Sequence, residues 1–478
     1  MAIQLYSTAE RSKVALSTKE EGVVSMYVCG PTVYDSCHIG HARPAVVFDV
    51  IRRYLEYSGF AVTFISNITD IDDKIINRAN ELGVSCGELA HRYQDEYERD
   101  MAALGVRSPT IRPRATEHIG DMINLVKGLL AKGIAYETAR GIWFDVSKFK
   151  NYGALSGRKA DDETTEHRVE QDSEKRNPQD FALWKAAKAG EPSWTSPWGE
   201  GRPGWHIECS AMAGKYCDFC LDIHGGGADL AFPHHENEKA QSEAFSGKPF
   251  VRHWLHNGFI TVGKSENEGD DGDGVKMGKS KGNAFWLRDA FKVASPAALR
   301  LWILGTQYRM PLLYKPELLL QGENALSRIH NCLAEAARYI DAAPDAKPAA
   351  GTAAAAAQES EAAFRAAMDD DFNTPQALAA VYEMVNAVNT AIKDKSPAGD
   401  IVVARNILFA VLGALGLPLE KQATGGGSID AYVDLLVSLR NEARAGKNFP
   451  LSDRIRDGLK DLGVTIKDRG AESTWEKA

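Results

Sequence analysis

Three groups of residues in this chain have the types and spacing to do chemistry. The first is Cys29-Gly30-Pro31-Thr32-Val33-Tyr34-Asp35-Ser36-Cys37-His38-Ile39-Gly40-His41, which sets two imidazoles three residues apart around a glycine. At a helix N-terminus such a pair places donors and the positive end of the helix dipole beside an incoming phosphate, and Gly40 lets backbone approach closely. Alone, His38 to His41 are equally compatible with two surface imidazoles beside a turn. The second group lies about 235 residues further on: Lys276-Met277-Gly278-Lys279-Ser280, followed by Lys281-Gly282-Asn283. Mobile ammonium groups flanked by glycine can close over β- and γ-phosphates and neutralise charge that develops as the α-phosphorus is attacked. By itself a lysine-rich loop is more often a solvated face. Together the two groups describe a triphosphate cradle.

The third group suits a metal ion. In Pro233-His234-His235-Glu236-Asn237-Glu238, His234 and Glu238 are four apart, so on a helix they share a face while His235 points elsewhere. Cys29 ends the first apolar run, and Cys209 sits in Trp205-His206-Ile207-Glu208-Cys209-Ser210. Two thiolates, an imidazole and a carboxylate make a tetrahedral zinc site whose weakest donor, the carboxylate, can yield to an incoming ligand. A rival set begins at Cys217-Asp218-Phe219-Cys220, but no second CxxC exists to complete it, and buried apolar cysteines are the plainer reading.

These residues need elements to position them. Val23 to Val28 is an apolar, β-branched run ending at Cys29-Gly30-Pro31, a strand followed by a turn. Ala45 to Leu55 has helical spacing, Phe60 to Ile65 reads as a second strand, and Asn67 to Asp70 is a polar loop at the strand's carboxyl end. Open α/β sheets hold ligands at that edge. The expected fold is therefore α/β, a Rossmann-like doubly wound parallel sheet. Strands at Ile134–Tyr136 and Ile142–Val146, with dense charge from Asp161 to Arg176, mark an inserted subdomain over 133–200. The sheet resumes at Leu221-Asp222-Ile223 and the Gly225-Gly226-Gly227 turn, with a helical stretch from Pro233 to Phe245. Runs from Asp289 to Leu304 and from Pro316 to Tyr339 announce a helical bundle. It is punctuated by the low-complexity stretches Ala342 to Gln358 and Gly425 to Ser428. Ser452 as cap, Ile455, Leu459 and Leu462 as one helix face and Val464 to Ile466 as a strand give a small mixed α/β C-terminal module. The expected segments are 1–132 and 201–262 for the two halves of the catalytic domain, 263–325 for the lysine loop and the segment after it, 326–428 for the bundle and 429–478 for the terminal module.

Composition narrows the class. The 478 residues imply two to four domains at about 100 to 200 residues each. A net charge of −9 disfavours a general nucleic-acid coating protein, so a polyanion must be met by local patches. The longest apolar run, Ile407 to Leu417, falls short of the roughly 20 residues a membrane span needs, so none is expected. Met1 to Lys13 lacks the apolar core of a secretory signal, and seven cysteines, an odd number, are scattered along the chain. Reduced thiols and a cytoplasmic location follow as expectations. The acidic run Glu266 to Asp273 does not fit a calcium loop and reads as a solvated hairpin tip.

The paired motifs resemble the HIGH and KMSKS signatures of class I aminoacyl-tRNA synthetases, with Gly278 standing where the second signature has Ser. Several segments together resemble the cysteinyl-tRNA synthetase family over nearly the whole chain. They are Cys29 through His41, Asn67-Ile68-Thr69-Asp70-Ile71-Asp72-Asp73-Lys74, Trp205 through Met212, His224 through Gly227, Phe232 through Glu238, and Asp369 through Pro375. The resemblance implies ATP-dependent activation of L-cysteine, with Mg²⁺ accompanying ATP, and transfer to tRNA(Cys). It implies one Zn²⁺ per chain, held by Cys29, Cys209, His234 and Glu238, that binds the substrate thiolate. His38, His41, Lys276 and Lys279 take the catalytic roles, and Gly40 and Asp229 join them around ATP, Asp229 toward the ribose. Cys29 and Trp205 line the amino-acid pocket, Trp205 being equally readable as a core aromatic, and Thr32 binds near the adenylate or the cysteine. Asp70, Asp72 and Asp73 are equally suited to capping a helix. The terminal module is implied to read the anticodon; Arg454, Arg456 and Lys460, off the Ile455/Leu459/Leu462 face, are placed to meet phosphates and Trp475 to stack on a base, and an ordinary solvated helix face would look the same. A monomer is expected. Two rivals stay in view: a ligase joining cysteine to an amino sugar, which lacks such a tail, and an idle synthetase-like RNA binder, which the intact motifs disfavour.

Overall fold

In the computed structural model, which describes residues 2–158, 174–263, 275–278, 282–420, 429–446, 448–469 and 472–477, the run Val23–Val28 forms the central strand, β1. The acidic run 266–273, Lys279, the glycine linker 425–428 and most of the charge-dense stretch 161–176 lie outside the described residues. Helix α1 (Ile39–Tyr57) follows β1, and strand β2 (Ala61–Ser66) then pairs with it in parallel. Much later the chain returns through α2 (Trp205–Cys217), β3 (Leu221–Gly227), α3 (Glu236–Ser246) and β4 (Val251–Asn257). Strand β3 pairs in parallel with β1 on the side opposite β2, giving the order β4-β3-β1-β2. The order reverses between β1 and β3, and at such a switch point the strand ends part to leave a crevice. This is the α/β class expected from the sequence.

Strand alternation assigns the two faces. Val24, Met26 and Val28 pack with Val46, Val47 and Phe48 of α1 in one core. Tyr27, between them, points to the other face and joins Leu221, Trp254 and Phe250 with Cys209, Met212 and Ala213 of α2. Between the two halves of the parallel sheet lies an antiparallel sheet of five strands, ordered Ala135–Thr138, Gly141–Phe144, Phe181–Ala186, Gly199–Pro203 and Trp194–Ser196. An N-terminal hairpin, Gln4–Ser7 with Ser12–Ala15, had no strong signal in the sequence.

Beyond β4, Ile260–Val262 pairs antiparallel with Val275–Lys276 and parallel with Leu312–Tyr314. The helical run expected from Asp289 to Leu304 is two helices, Leu287–Val293 and Pro296–Leu304. Ser295 caps the second by accepting from Ala298 N, and Pro296 supplies its first turn. Four longer helices, Pro316–Asp341, Thr352–Asp369, Thr374–Lys393 and Ala398–Leu415, build the bundle. The Ala-rich stretch 342–358 is thus only half a connection. From Thr352 its alanines begin a helix, as the best helix formers should, and the carboxylate of Asp400 accepts from Ala353 N and Ala354 N at 3.0 and 2.7 Å. Ala398–Leu415 has a mean hydropathy of 1.7 over 18 residues, and by length and composition alone it is apolar enough to cross a membrane. The run Ile407 to Leu417 understated it. Its Ile401, Ala404, Leu408, Val411 and Leu412 are fully buried in the bundle core, which accounts for its composition.

Gln422–Ala478 forms a second compact unit. It contains helices Ile429–Ala445 and Phe449–Asp461 and a hairpin of Val464–Arg469 with Glu472–Lys477. Three details differ from the sequence reading. Asn448, not Ser452, caps the second helix, by accepting from Leu451 N, and Ser452 is buried within it. Leu459 is buried but Leu462, at the helix end, is 79% exposed. Trp475, half-buried, packs against Val433, Val437, Leu459 and Val464, so its ring also supports the core of the unit.

Candidate active site and metal centre

Cys29 continues the line of β1, its N–H donating to Gly225 O at 3.3 Å, so its side chain lies on the Tyr27 face at the switch point. Gly30 then permits a close crossing. Its N–H donates to Asn67 Oδ1 at 2.9 Å, and a Cβ there would stand 1.6 Å from Asn67 O. Opposite Cys29, α2 brings Cys209 and the first turn of α3 brings Glu238, while His234 comes from the wide turn Ala231–His235 that leads into α3. The donor atoms of Cys29, Cys209, His234 and Glu238 all lie within 4.8 Å of one another, and all but Cys29 are buried. Cys29 Sγ is 3.7 Å from Cys209 Sγ and 3.3 Å from Glu238 Oε1, and His234 Nε2 is 3.0 Å from Glu238 Oε1. A tetrahedral ion with bonds of 2.0 to 2.3 Å sets its donors about 3.3 to 3.8 Å apart. The group is already close to that geometry and fits a zinc ion.

The charges fit as well. Burial, then the neighbouring Cys209, pushes the Cys29 thiol well above its usual range. The Cys209 thiol is lowered to about 6, chiefly by the hydrogen bond it accepts from Cys29. Burial disfavours the charged imidazole of His234, yet the Glu238 carboxylate and Cys209 outweigh it and raise this group to about 10. Glu238 is held well below the ordinary carboxylate range because His224 and His234 outweigh its burial. His224 Nε2 lies 2.9 Å from the outer oxygen, Oε2, and His206 Nδ1 lies 2.9 Å from His234 Nδ1. Such partners orient metal ligands from behind.

His235 does not point elsewhere. Its Nε2 is 3.4 Å from Cys29 Sγ, and Cys29, His224, His235 and Glu238 form a second close set. Phe232, extended at φ −142° and ψ 135°, breaks the helical rise, so both histidines turn inward. From His235 Nδ1 the contacts run 2.8 Å to His256 Nε2 and 2.7 Å from His256 Nδ1 to Thr8 Oγ1. Burial lowers His256 to about 3 and His235 well below its usual value, which keeps this floor of the crevice neutral.

Beside the metal group stand the phosphate-binding candidates. His38 is the N-cap of α1, with His41 in its first turn; His41 Nδ1 accepts from His38 N at 3.2 Å, and the rings stack at 3.9 Å. A Cβ on Gly40 would stand 2.6 Å from the His38 ring, so glycine is required for that stack. The segment after the lysine loop is stitched to this turn: Ile39 N donates to Phe285 O at 3.0 Å and Leu287 N to Cys37 O at 2.9 Å. Gly278 N donates to Asn283 Oδ1 at 2.9 Å, and the backbone of Lys276 pairs with Thr261. The side chain of Lys276 and all of Lys279 lie outside the described residues. Thr32 bridges Thr69 at the ends of β1 and β2, and Asp229 is exposed in the turn after β3. Trp205 opens α2 half-buried and stacks on His234 at 4.2 Å.

Residues 15–324 match the family model for the class I (C) tRNA synthetase catalytic domain, and 363–420 match the DALR domain. The chain is 46% identical to the cysteine--tRNA ligase of Carboxydothermus hydrogenoformans, over 99% of its own length and all of that protein. It is 47% identical to that of Caldicellulosiruptor saccharolyticus over 98% of each. The chain belongs to the cysteine--tRNA ligase family. The fold also aligns with methionyl-tRNA synthetase of Mycobacterium tuberculosis in complex with methionyl-adenylate, at a TM-score of 0.60 and 17% identity, over 87% of this chain and 94% of that one.

Within this ligase the remaining sequence candidates have structural duties. Asp72 caps the helix Asp73–Leu82 through Lys74 N at 2.9 Å, and Asp70 accepts from Thr116 N and Oγ1 at 3.0 and 2.6 Å. Asp73 pairs with Lys185 at 3.0 Å and with Arg202 of the inserted sheet. Among the described residues neither Cys217 nor Cys220 belongs to a metal-sized group, and burial pushes the Cys217 thiol up to about 11. Sequence reasoning missed the supporting shell of the ligase, namely Tyr27, His206, His224, His235 and His256. The available signal was strand alternation, since Tyr27, Cys29, His224 and His256 occupy same-face positions on neighbouring parallel strands.

Proposed function

We propose that this ligase condenses L-cysteine with ATP to cysteinyl-adenylate and pyrophosphate, then transfers the cysteinyl group to the terminal ribose of tRNA(Cys). The observation that carries this reading is the meeting of Cys29, Cys209, His234 and Glu238 at the switch point, beside the His38–His41 turn. These four side chains hold Zn²⁺ for the substrate's sulfur. Bound there, zinc supplies a soft Lewis acid that a thiolate ligates readily and a serine hydroxyl only after a far costlier deprotonation. Rejecting serine by about 10⁴ needs on the order of 5.5 kcal/mol, more than a pocket that merely encloses a hydroxyl provides.

The chain's own groups do the rest. The substrate carboxylate is already a nucleophile, so the first step needs positioning and charge stabilisation, not a general base. His38, His41 and the α1 N-terminus bind the phosphates, Lys276 and Lys279 neutralise the charge that develops there, and Mg²⁺ accompanies ATP. Gly40 keeps the His38 stack in place, Asp229 holds the ribose, and Trp205 and Thr32 bound the amino-acid pocket. Segment 263–325 meets the acceptor stem and 429–478 the anticodon. The enzyme acts as a cytoplasmic monomer, with no membrane partner.

Cysteine-dependent exchange of labelled pyrophosphate into ATP, followed by charging of tRNA(Cys), tests the whole reading, and absence of exchange overturns it. Cys209→Ser tests the recognition step. We expect metal analysis to show zinc lost, with KM for cysteine rising far more than KM for ATP; full zinc content in that variant refutes the ligand set.

A further inference from the structure

Tyr27 is buried completely, two residues before Cys29 on the same face of β1. Its neighbours on that face, Leu155, Met212, Leu221, Phe250 and Trp254, are apolar and would accept phenylalanine equally well. Yet the chain carries a hydroxyl there, and Tyr27 Oη makes no well-formed hydrogen bond among the described residues, with Cys209 the acceptor within its reach. A buried hydroxyl without a partner costs about 1 to 3 kcal/mol, so its retention asks for a cause. The ring sits edge-on to His224 with centroids 5.2 Å apart, and the acidic groups that act on the phenol are Cys209, Cys29 and Glu238.

Charge supplies the cause. Two thiolates and a carboxylate around a divalent ion leave one net negative charge in a buried site, and a substrate thiolate adds a second. Donors from behind must spread it. Glu238 has His224 on its outer oxygen, and His234 has His206 on its outer nitrogen. Cys209 has the S–H of Cys29, at 3.7 Å, and the imidazole of His234, and both give up that donation when they turn to the metal. Asn67 offers Cys209 an acceptor, because Oδ1 faces the sulfur at 3.8 Å while accepting from Gly30 N. We propose that Tyr27 is a positioning residue of the metal centre, its phenolic O–H turning to donate to Cys209 Sγ once that sulfur is a metal-bound thiolate. The donation lowers the electron density on sulfur and leaves the ion a stronger acceptor for the substrate thiolate. This rests on the zinc reading above.

Tyr27→Phe removes a single oxygen and keeps the ring. In full-length protein, competition with a chromophoric chelator should show zinc held about 10- to 100-fold more weakly than in the wild type. With Co²⁺ in place of Zn²⁺, the thiolate-to-metal charge-transfer band should move to lower energy, because the sulfur is more electron-rich. KM for cysteine should rise several-fold, with KM for ATP unchanged. The melting temperature of the metal-free chain should stay the same or rise, since an unpaired buried hydroxyl is gone. Zinc affinity within twofold of wild type together with an unshifted band overturns the proposal while leaving the zinc site standing. So does weaker binding accompanied by a matching fall in the metal-free melting temperature. A wild-type chain that takes up no zinc overturns both readings.

Discussion

On the proposed reading, zinc would have to compete with protons for its place among Cys29, Cys209, His234 and Glu238. Near pH 7 Glu238, held well below its usual range, and Cys209, at about 6, are already charged acceptors. Cys29, pushed up by burial, and His234, at about 10, still carry protons. Uptake therefore releases close to two protons, and raising the pH removes the competitor. Apparent zinc affinity should climb by up to about 100-fold between pH 7 and pH 8, measured by chelator competition in buffers of differing ionisation enthalpy. A pH-independent affinity contradicts the ligand set. Gly30→Ala tests the crossing beneath the site: its Cβ would collide with Asn67 O at 1.6 Å, so the backbone must shift and cysteine activation should fall at least about tenfold. Unchanged exchange kinetics would show the crossing to be incidental. The meeting of Cys29, Cys209, His234 and Glu238 was legible in the sequence because thiol, imidazole and carboxylate are rare company and His234 and Glu238 have helical spacing. His235 was not, because helical periodicity fails where extended Phe232 interrupts it.

At the level of elements, one buried ion pair ties α1 to the helices that follow the lysine loop. Arg300, fully buried on Pro296–Leu304, donates to Asp49 of α1, to Leu104 O at 3.2 Å and to Leu415 O at 2.9 Å. Asp49 also accepts from Arg53 at 2.7 Å and Arg107 N at 3.0 Å. Burial works to raise its pKa, but Arg300 and Arg53 prevail and lower it. Asp49→Asn leaves Arg300 charged, buried and unmatched, and should cost about 3 to 5 kcal/mol in urea unfolding at pH 7. Because the folded carboxyl titrates below its unfolded value of about 3.9, the stabilisation is complete above that pH and is lost as pH falls through the folded value. The gap between variant and wild type should thus hold from pH 7 to 5 and narrow below about pH 4. A gap that persists undiminished in acid would assign the loss to packing. The sequence announced these helices by their periodicity, but not their joints. The break at Ser295 depended on a cap, and the Ala-rich start of Thr352–Asp369 was hidden because its alanines carry no amphipathic pattern and its cap comes from Asp400 on another helix.

On the scale of the whole chain, the proposed function divides adenylation and tRNA recognition between the two units. Every residue assigned to cysteine, ATP or zinc lies within Met1–Lys421. Gln422–Ala478 has its own small core around Val433, Val437, Leu459 and Val464, and its own tie, from buried Arg440 to exposed Asp468 at 2.8 Å. Trp475 is half-buried against that core, while Phe449 is 57% accessible at the start of its helix, which makes Phe449 the more open group for the proposed contact with RNA. Ending the chain after Lys421 should leave cysteine-dependent pyrophosphate exchange within about threefold of wild type, because none of the reacting groups is touched. Charging of tRNA(Cys) should fall by about 10² or more in kcat/KM, since a second contact that makes binding intramolecular is lost. Phe449→Ala in the full chain should reproduce part of that loss as a higher KM for tRNA, with exchange unaltered. If the shortened chain charges tRNA at the wild-type rate, the terminal unit has no part in recognition; if it loses exchange as well, the two activities are not separable along the chain.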